Sequence, residues 1–162
     1  MIQRKQTIYF LLAFVCMILL LFFPMFNIET VQQGEVLTGT FTAYGFQTED
    51  GQTVSFPLYL LFMAMALITA ICVFLYKNRK RQLMVGRLNL ILHLLVTVAF
   101  AIFFYAGRSL VVQNTVASTM DEVSFSVGIG FFFLVGSIPF LILAIRGIKQ
   151  DEELLRSIDR IR

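Results

Sequence analysis

The sequence predicts an all-α membrane protein in which four transmembrane helices form a bundle. Hydrophobic residues make up 58% of the 162-residue chain and charged residues only 14%, whereas soluble proteins average about 45–50% and about 25%. A soluble domain of this length cannot bury so much apolar surface. The composition therefore excludes a soluble globular domain, a disordered chain and a nucleic-acid-binding module, and it predicts a single integral membrane domain over residues 1–162.

Four stretches without Asp, Glu, Lys or Arg mark the predicted spans. They cover residues 8–26, 58–76, 88–105 and 127–145, and each is close to the ~20 apolar residues that a helix needs to cross a hydrocarbon core about 30 Å thick. Each must be helical because lipid offers the backbone no hydrogen-bond partners. The first stretch is longer than the apolar core of a signal peptide and lacks a small-residue cleavage site, so we expect an uncleaved anchor.

The basic residues predict which ends of the helices face the cytoplasm. Lys and Arg lie in the N-terminal head, in the connection at residues 77–87 and in the tail at residues 146–162, and Arg108 alone lies elsewhere. By the positive-inside rule, these three segments are cytoplasmic. The connections at residues 27–57 and 106–126 are then the outer loops, and both termini face the cytoplasm.

The first outer loop is long enough to carry secondary structure of its own. Threonine alternates with other residues over positions 38–42, which is the period of a strand, and Asp50-Gly51 is a typical hairpin-turn pair. A lone hairpin is only marginally stable in water. We therefore expect two or three short strands, as a β-hairpin or small sheet, packed on the second outer loop, where residues 110–113 could add a strand.

The cytoplasmic tail predicts a short amphipathic helix. Leu154, Ile158 and Ile161 share one helix face, and Arg156 and Arg160 flank it. A helix of about a dozen residues is unstable alone in water, so the apolar face needs a surface. That surface could be a bilayer with anionic lipids, the protein's own helices or a larger membrane complex, and the alternative is a frayed, solvated end.

The third predicted span carries a polar face. Asn89, His93 and Thr97 recur every four residues and therefore lie on one side of a helix. Polar groups at this depth normally face protein or water. One interpretation is a small buried polar site. The other, which we favour because no second titratable group accompanies His93, is interhelical hydrogen bonding.

Catalytic and cofactor motifs are absent from the sequence. It contains no Cys-x-x-Cys pair, no metal-ligand spacing and no glycine-rich phosphate loop. The single histidine excludes a haem held by two histidines of one chain. We therefore expect no enzyme activity, no cofactor and no nucleic-acid partner.

Three segments of the chain resemble a known family. They read MIQRKQTIY at residues 1–9, YKNRKRQ at residues 76–82 and KQDEELLRSIDRIR at residues 149–162. Together they resemble a family of small four-span inner-membrane proteins from Bacteroidota that is catalogued as a domain of unknown function. The resemblance covers the whole chain and implies a bacterial inner-membrane location, but it brings no activity, ligand or catalytic residue.

Two kinds of function stay open at this point. The first is a non-enzymatic accessory or scaffold protein that contacts lipids or a larger membrane complex through its tail and helix faces. The second is the binding or transport of a small or lipophilic molecule through the polar face of the third helix, formed by Asn89, His93 and Thr97.

Overall fold

The computed structural model describes residues 3–32, 35–48, 53–117 and 122–159. These residues form a mostly helical fold with a small antiparallel sheet, which confirms the predicted helical class and the presence of strands. The helices are α1 (Gln3–Leu20), α2 (Leu58–Phe74), α3 (Arg79–Ala117) and α4 (Ile129–Asp159). The strands are β1 (Phe26–Gln32), β2 (Glu35–Thr42), β3 (Gly45–Thr48), β4 (Thr53–Ser55) and β5 (Glu122–Val127).

Three helices in the described part of the chain are long and apolar enough to cross a membrane. Their apolar segments are Leu58–Lys77, in which a short 3-10 turn extends α2, Arg79–Gly107 and Ile129–Glu153. The apolar segment of α1 is shorter and covers Gln6–Leu20. Three of the four predicted spans are therefore confirmed in length and composition, and the first remains a prediction.

The helix pair α1 and α4 is antiparallel. The start of α4 lies at the end of α1, where the Gly130 N–H donates to the carbonyl oxygen of Pro24 over 2.8 Å. Its far end returns to the start of α1, where Gly147 lies against Gln6. The buried face of α1 carries apolar residues at helical spacing, which are Phe10, Ala13, Met17 and Leu20.

Two glycines allow this close approach of backbones. A Cβ at Gly128 would lie 2.3 Å from the carbonyl oxygen of Pro24, and one at Gly130 would lie 2.6 Å from that of Phe23. No side chain fits at such distances, so the junction of β5 and α4 requires glycine there. At the same junction, the Gly128 N–H donates a backbone hydrogen bond of 2.8 Å to the Met25 carbonyl oxygen.

The described strands form one sheet in the order β4-β3-β2-β1-β5, with antiparallel pairing throughout. The first outer loop thus supplies four strands, one more than the sequence predicts. The expected packing on the second outer loop is confirmed, because β1 pairs with β5. The expected strand at residues 110–113 is wrong, since α3 is helical there, and Asp50-Gly51 lies outside the described residues.

The sheet has an apolar face and a polar face. Directly paired residues share a face, and one row of pairs crosses the whole sheet: Val54, Phe46, Phe41, Phe26 and Val127. This face covers one end of the helix bundle, where Phe26 and Phe41 contact phenylalanines of α3. Exposed polar residues lie at alternate strand positions on the other face, namely Glu29, Gln47, Ser55 and Ser124.

Helix α3 corrects the predicted loop at residues 77–87 and most of the predicted loop at residues 106–126. It begins at Arg79, after Asn78, whose side-chain oxygen accepts a 3.4 Å hydrogen bond from the Arg81 N–H as a helix cap does. Its 39 residues extend about 58 Å at 1.5 Å per residue. A bilayer core is only about 30 Å thick. The charged residues therefore mark where the apolar stretch ends, and they do not mark where the helix ends.

Helix α4 corrects the predicted tail helix in the same way. It has 31 residues and ends at Asp159, so the tail continues the helix of the fourth apolar segment and does not form a separate one. No proline or glycine follows Gly147, so nothing in the sequence breaks the helix.

Candidate functional site

A row of buried polar side chains runs along α3 where it faces α2. Gln82, Asn89 and His93 are all at most 2% exposed, although they lie in an apolar bundle. Their positions, seven and four residues apart, place them on one face of the helix. The predicted polar face is therefore buried inside the bundle, with Thr97 half-buried at the end nearer the sheet.

Two of these residues join α3 to α2. The Asn89 side-chain amide donates to the hydroxyl of buried Thr69 over 2.8 Å, and that hydroxyl donates to the Met65 carbonyl over 2.9 Å. The Gln82 side-chain amide donates to the Cys72 carbonyl over 2.9 Å. These bonds hold the two helices in one register, as interhelical polar contacts in membranes do.

The other two residues bond within their own helix. His93 Nδ1 lies 2.8 Å from the Asn89 carbonyl oxygen. A carbonyl only accepts, so Nδ1 carries the proton and Nε2 the lone pair. Thr97 donates to the His93 carbonyl over 2.7 Å. The prediction that the face makes interhelical bonds therefore fits Asn89, whereas His93 and Thr97 bond to the backbone one turn earlier.

Two buried atoms of this row have no hydrogen-bond partner among the described residues. They are Asn89 Oδ1 and His93 Nε2, and both are acceptors in the tautomer given above. In the described part of the chain, no three His, Cys, Asp or Glu side chains lie together as metal ligands would.

The C-terminal tail, residues 146–162, makes a contact that the sequence does not predict. The Gln6 side-chain amide donates to the Asp151 carboxylate, and both side chains are only 7% exposed. The first turn of the tail therefore packs on α1. Leu154, Arg156 and Ile158 continue α4 as helical backbone, and their side chains lie outside what the structure describes, as do Arg160 and Ile161 altogether.

A cavity of about 440 Å³ lies between the sheet and the helices, and the sequence does not predict it. Its volume falls in the range of about 300–1,000 Å³ that is usual for ligand pockets. The side chains of described residues that line it are all apolar: Phe41, Phe46, Val54, Phe56, Leu58, Ala99, Phe100 and Phe103.

A second apolar cavity of about 220 Å³ adjoins the first. The two share Phe41, Phe46 and Phe103, and the second extends along α3 to Gly107 and across the sheet to Phe125. We call the two cavities together the aromatic trough. From Ala99 to Gly107 it follows about 12 Å of α3, at 1.5 Å per residue.

The sequence does contain the signals that predict the walls of the trough. Phe41 and Phe46 face one side of paired strands, and Ala99, Phe103 and Gly107 recur at i and i+4 on α3. What it does not contain is the pairing that brings the two patterns face to face.

Comparison with known proteins bears on the whole chain. Residues 2–161 match the family model of a domain of unknown function, DUF4293. The chain belongs to the DUF4293 family. This confirms the predicted membership of a family of unknown function, and the DUF4293 description adds no activity, ligand or site residue. No curated protein matches the chain.

Proposed function

We propose that the protein is a non-enzymatic accessory or scaffold protein of a bacterial inner membrane, which acts through lipid contacts at the aromatic trough. The observation that carries the proposal is an all-apolar cavity of about 440 Å³ at the end of helices that are apolar enough to cross a membrane. Such a cavity offers a ligand neither hydrogen-bond partners nor catalytic groups, so it suits hydrocarbon.

A four-span topology with both termini in the cytoplasm is part of this proposal. Helix α1 supports it because the side opposite its buried face is also apolar, with Ile8, Leu11 and Val15 exposed. A helix that is apolar all round is typical of a membrane span. The turn at Asn78 and the Gln6–Asp151 contact lie at the bundle end away from the sheet, and the basic residues cluster at that end, as the positive-inside rule requires of a cytoplasmic face.

Reporter fusions test this topology. Alkaline phosphatase should be active when fused within residues 49–52, in the connection of β3 and β4, and inactive after Asn78 or Arg162. A fluorescent protein that folds only in the cytoplasm should give the opposite pattern, which serves as the control. Phosphatase activity after Arg162 would contradict a cytoplasmic C-terminus.

The trough is placed to meet lipid from the outer leaflet. Its larger cavity is open at the side, since Val54 is 67% exposed and Phe103 54% exposed. On α3 the exposed residues Leu95, Val98 and Ile102 lead to it. In a bilayer these residues face acyl chains, so the lipid-facing surface continues into the trough.

The proposed lipid contact is tested by what the full-length protein retains through purification. After exhaustive washing in mild detergent, mass spectrometry of an organic extract should find about one lipophilic molecule per chain. The variant Ala99→Phe/Gly107→Leu fills the trough, because both positions line it and, among the described residues, no neighbouring atom lies within 4 Å of a Cβ at Gly107. We expect it to retain at least tenfold less.

A matched control has the same size of change elsewhere. Ala101 is exposed on the same helix, and Gly136 on α4 likewise has no atom within 4 Å of an added Cβ. The variant Ala101→Phe/Gly136→Leu should retain as much as the natural sequence. Equal retention by the trough-filling variant, or no retained molecule in the natural protein, would refute lipid contact at the trough.

Partner or anionic-lipid contact through Leu154, Arg156, Ile158, Arg160 and Ile161 stays part of the proposal. The buried Gln6–Asp151 contact supports it only indirectly, because it fixes where the tail leaves the bundle. Ligand binding through Asn89, His93 and Thr97 has less support, since the hydrogen bonds of these side chains are made to groups of α2 and α3.

A further inference from the structure

We infer that the trough holds one acyl chain of a bilayer phospholipid, inserted from the outer leaflet. This inference rests on the proposed function and names the ligand of the same site. It depends on three properties of the trough: its shape, the chemistry of its walls and its position relative to the membrane interface.

The shape favours a chain over a compact ligand. Two cavities of about 440 and 220 Å³ meet side by side at Phe41, Phe46 and Phe103. Together the linings of the two neighbouring cavities run from Leu58, at the start of α2, to Phe125 on β5. An elongated space suits a flexible chain, which can follow it at low strain.

The walls admit hydrocarbon alone. Among the described residues, no lining side chain carries a nitrogen or an oxygen, so a buried polar group of a ligand would lose its water without gaining a partner from them. Each buried methylene, in contrast, is favourable. The part of the ligand inside the trough must therefore be apolar along its whole length, as an acyl chain is.

The position suits a ligand with a polar head that stays outside. Tyr44 and Tyr59 stack at 5.6 Å beside the strand edge, and Tyr105 is 78% exposed on α3 between Phe103 and Gly107. Tyrosines concentrate at the headgroup level of a membrane because one end is apolar and the other polar. The trough thus begins where a phospholipid joins its headgroup to its chains, and a single chain can enter it sideways.

The experiment uses full-length protein in nanodiscs that contain phosphatidylethanolamine with a photoactivatable diazirine. One probe carries the diazirine at the chain end and the other carries it on the headgroup. After illumination, peptide mass spectrometry should place the chain-end label on α3 between Ala99 and Gly107. The headgroup label should be absent from that stretch.

Variants distinguish the trough from the general lipid surface. The trough-filling variant Ala99→Phe/Gly107→Leu should lose at least nine-tenths of the chain-end label in its α3 peptide. Its control Ala101→Phe/Gly136→Leu should keep the label, and labelling of the lipid-facing α2 surface at Leu67 and Ile71 should be equal in all three proteins.

Other outcomes overturn the inference and separate it from the proposed function. If the trough-filling variant loses a retained lipophile that has no acyl chain, lipid-like binding stands and the phospholipid assignment is wrong. If the chain-end label is absent from the α3 peptide of the natural protein, no acyl chain enters the trough. If chain-end labelling is the same in the filled variant, the chain lies on the outside of the protein only.

Discussion

Replacing Phe26 with alanine is expected to lower the free energy of unfolding by about 3–5 kcal/mol, as for other buried Phe→Ala changes. Phe26 is 4% exposed and stacks on Phe104 with a centroid distance of 4.9 Å. Its ring also contacts three other phenylalanines, on β2, α3 and α4, which are Phe41, Phe100 and Phe131. Its loss leaves a cavity where the sheet meets the bundle.

The matched control is Phe22→Ala, which removes the same ring from a residue that is 75% exposed four positions earlier. Unfolding of both variants can be measured in micelles by steric trapping or denaturant titration. Since Phe26 also lines the trough, its variant should show weaker lipid retention. If Phe26→Ala is no less stable than Phe22→Ala, the aromatic cluster does not hold the sheet on the helices.

The sequence predicts the apolar segments well and the helix ends poorly, for one physical reason. Hydropathy changes where a chain leaves the hydrocarbon, whereas a helix ends only where its backbone is interrupted or capped. Residues 79–87 and 106–117 are charged or polar enough to read as loops, yet they contain no proline and continue α3 in both directions. The side-chain cap at Asn78 marks where α3 begins, inside the stretch that the sequence predicts to be a loop.

The sequence predicts that strands are present, but it does not predict the trough. The threonine alternation and the turn residues predict strands from neighbours in the sequence. The trough depends on pairings between distant parts of the chain, above all Phe26 with Val127, and on α3 passing beneath Phe41 and Phe46. Local patterns do not specify which strand becomes the neighbour of which, so the cavity appears only in the structure.

For the polar face too, the sequence predicts what depends on local spacing, and it does not predict contacts between distant residues. Helical spacing alone places Asn89, His93 and Thr97 on one side of α3. It does not identify Thr69 of α2 as the acceptor of the Asn89 amide, nor does it reveal Gln82 as a further member of the row, bonded to the backbone of Cys72.

The contact between Gln6 and Asp151 is the extreme case, because 145 positions separate its two residues. It joins the start of α1 to the first turn of the tail, and both side chains are buried. Buried carboxylates need hydrogen-bond donors, since removal of a donor leaves the desolvation of the charged group uncompensated. The packing is tight here as well, since a Cβ at Gly147 would lie 2.9 Å from Gln6 Cγ.

We therefore expect Gln6→Leu to lower the free energy of unfolding by about 1–3 kcal/mol. The double variant Gln6→Leu/Asp151→Leu should recover most of that loss, because two apolar groups in place of a bonded pair are nearly neutral. A double-mutant cycle measured by steric trapping gives the coupling directly, with Gln150→Leu, at an exposed neighbouring position, as the control. If the stability losses of the two single variants simply add in the double variant, the two residues act independently. A measured coupling would mean that the tail is held on α1 before any partner or membrane surface binds it. The residues after Asp151 would then extend from a helix that is already fixed in place.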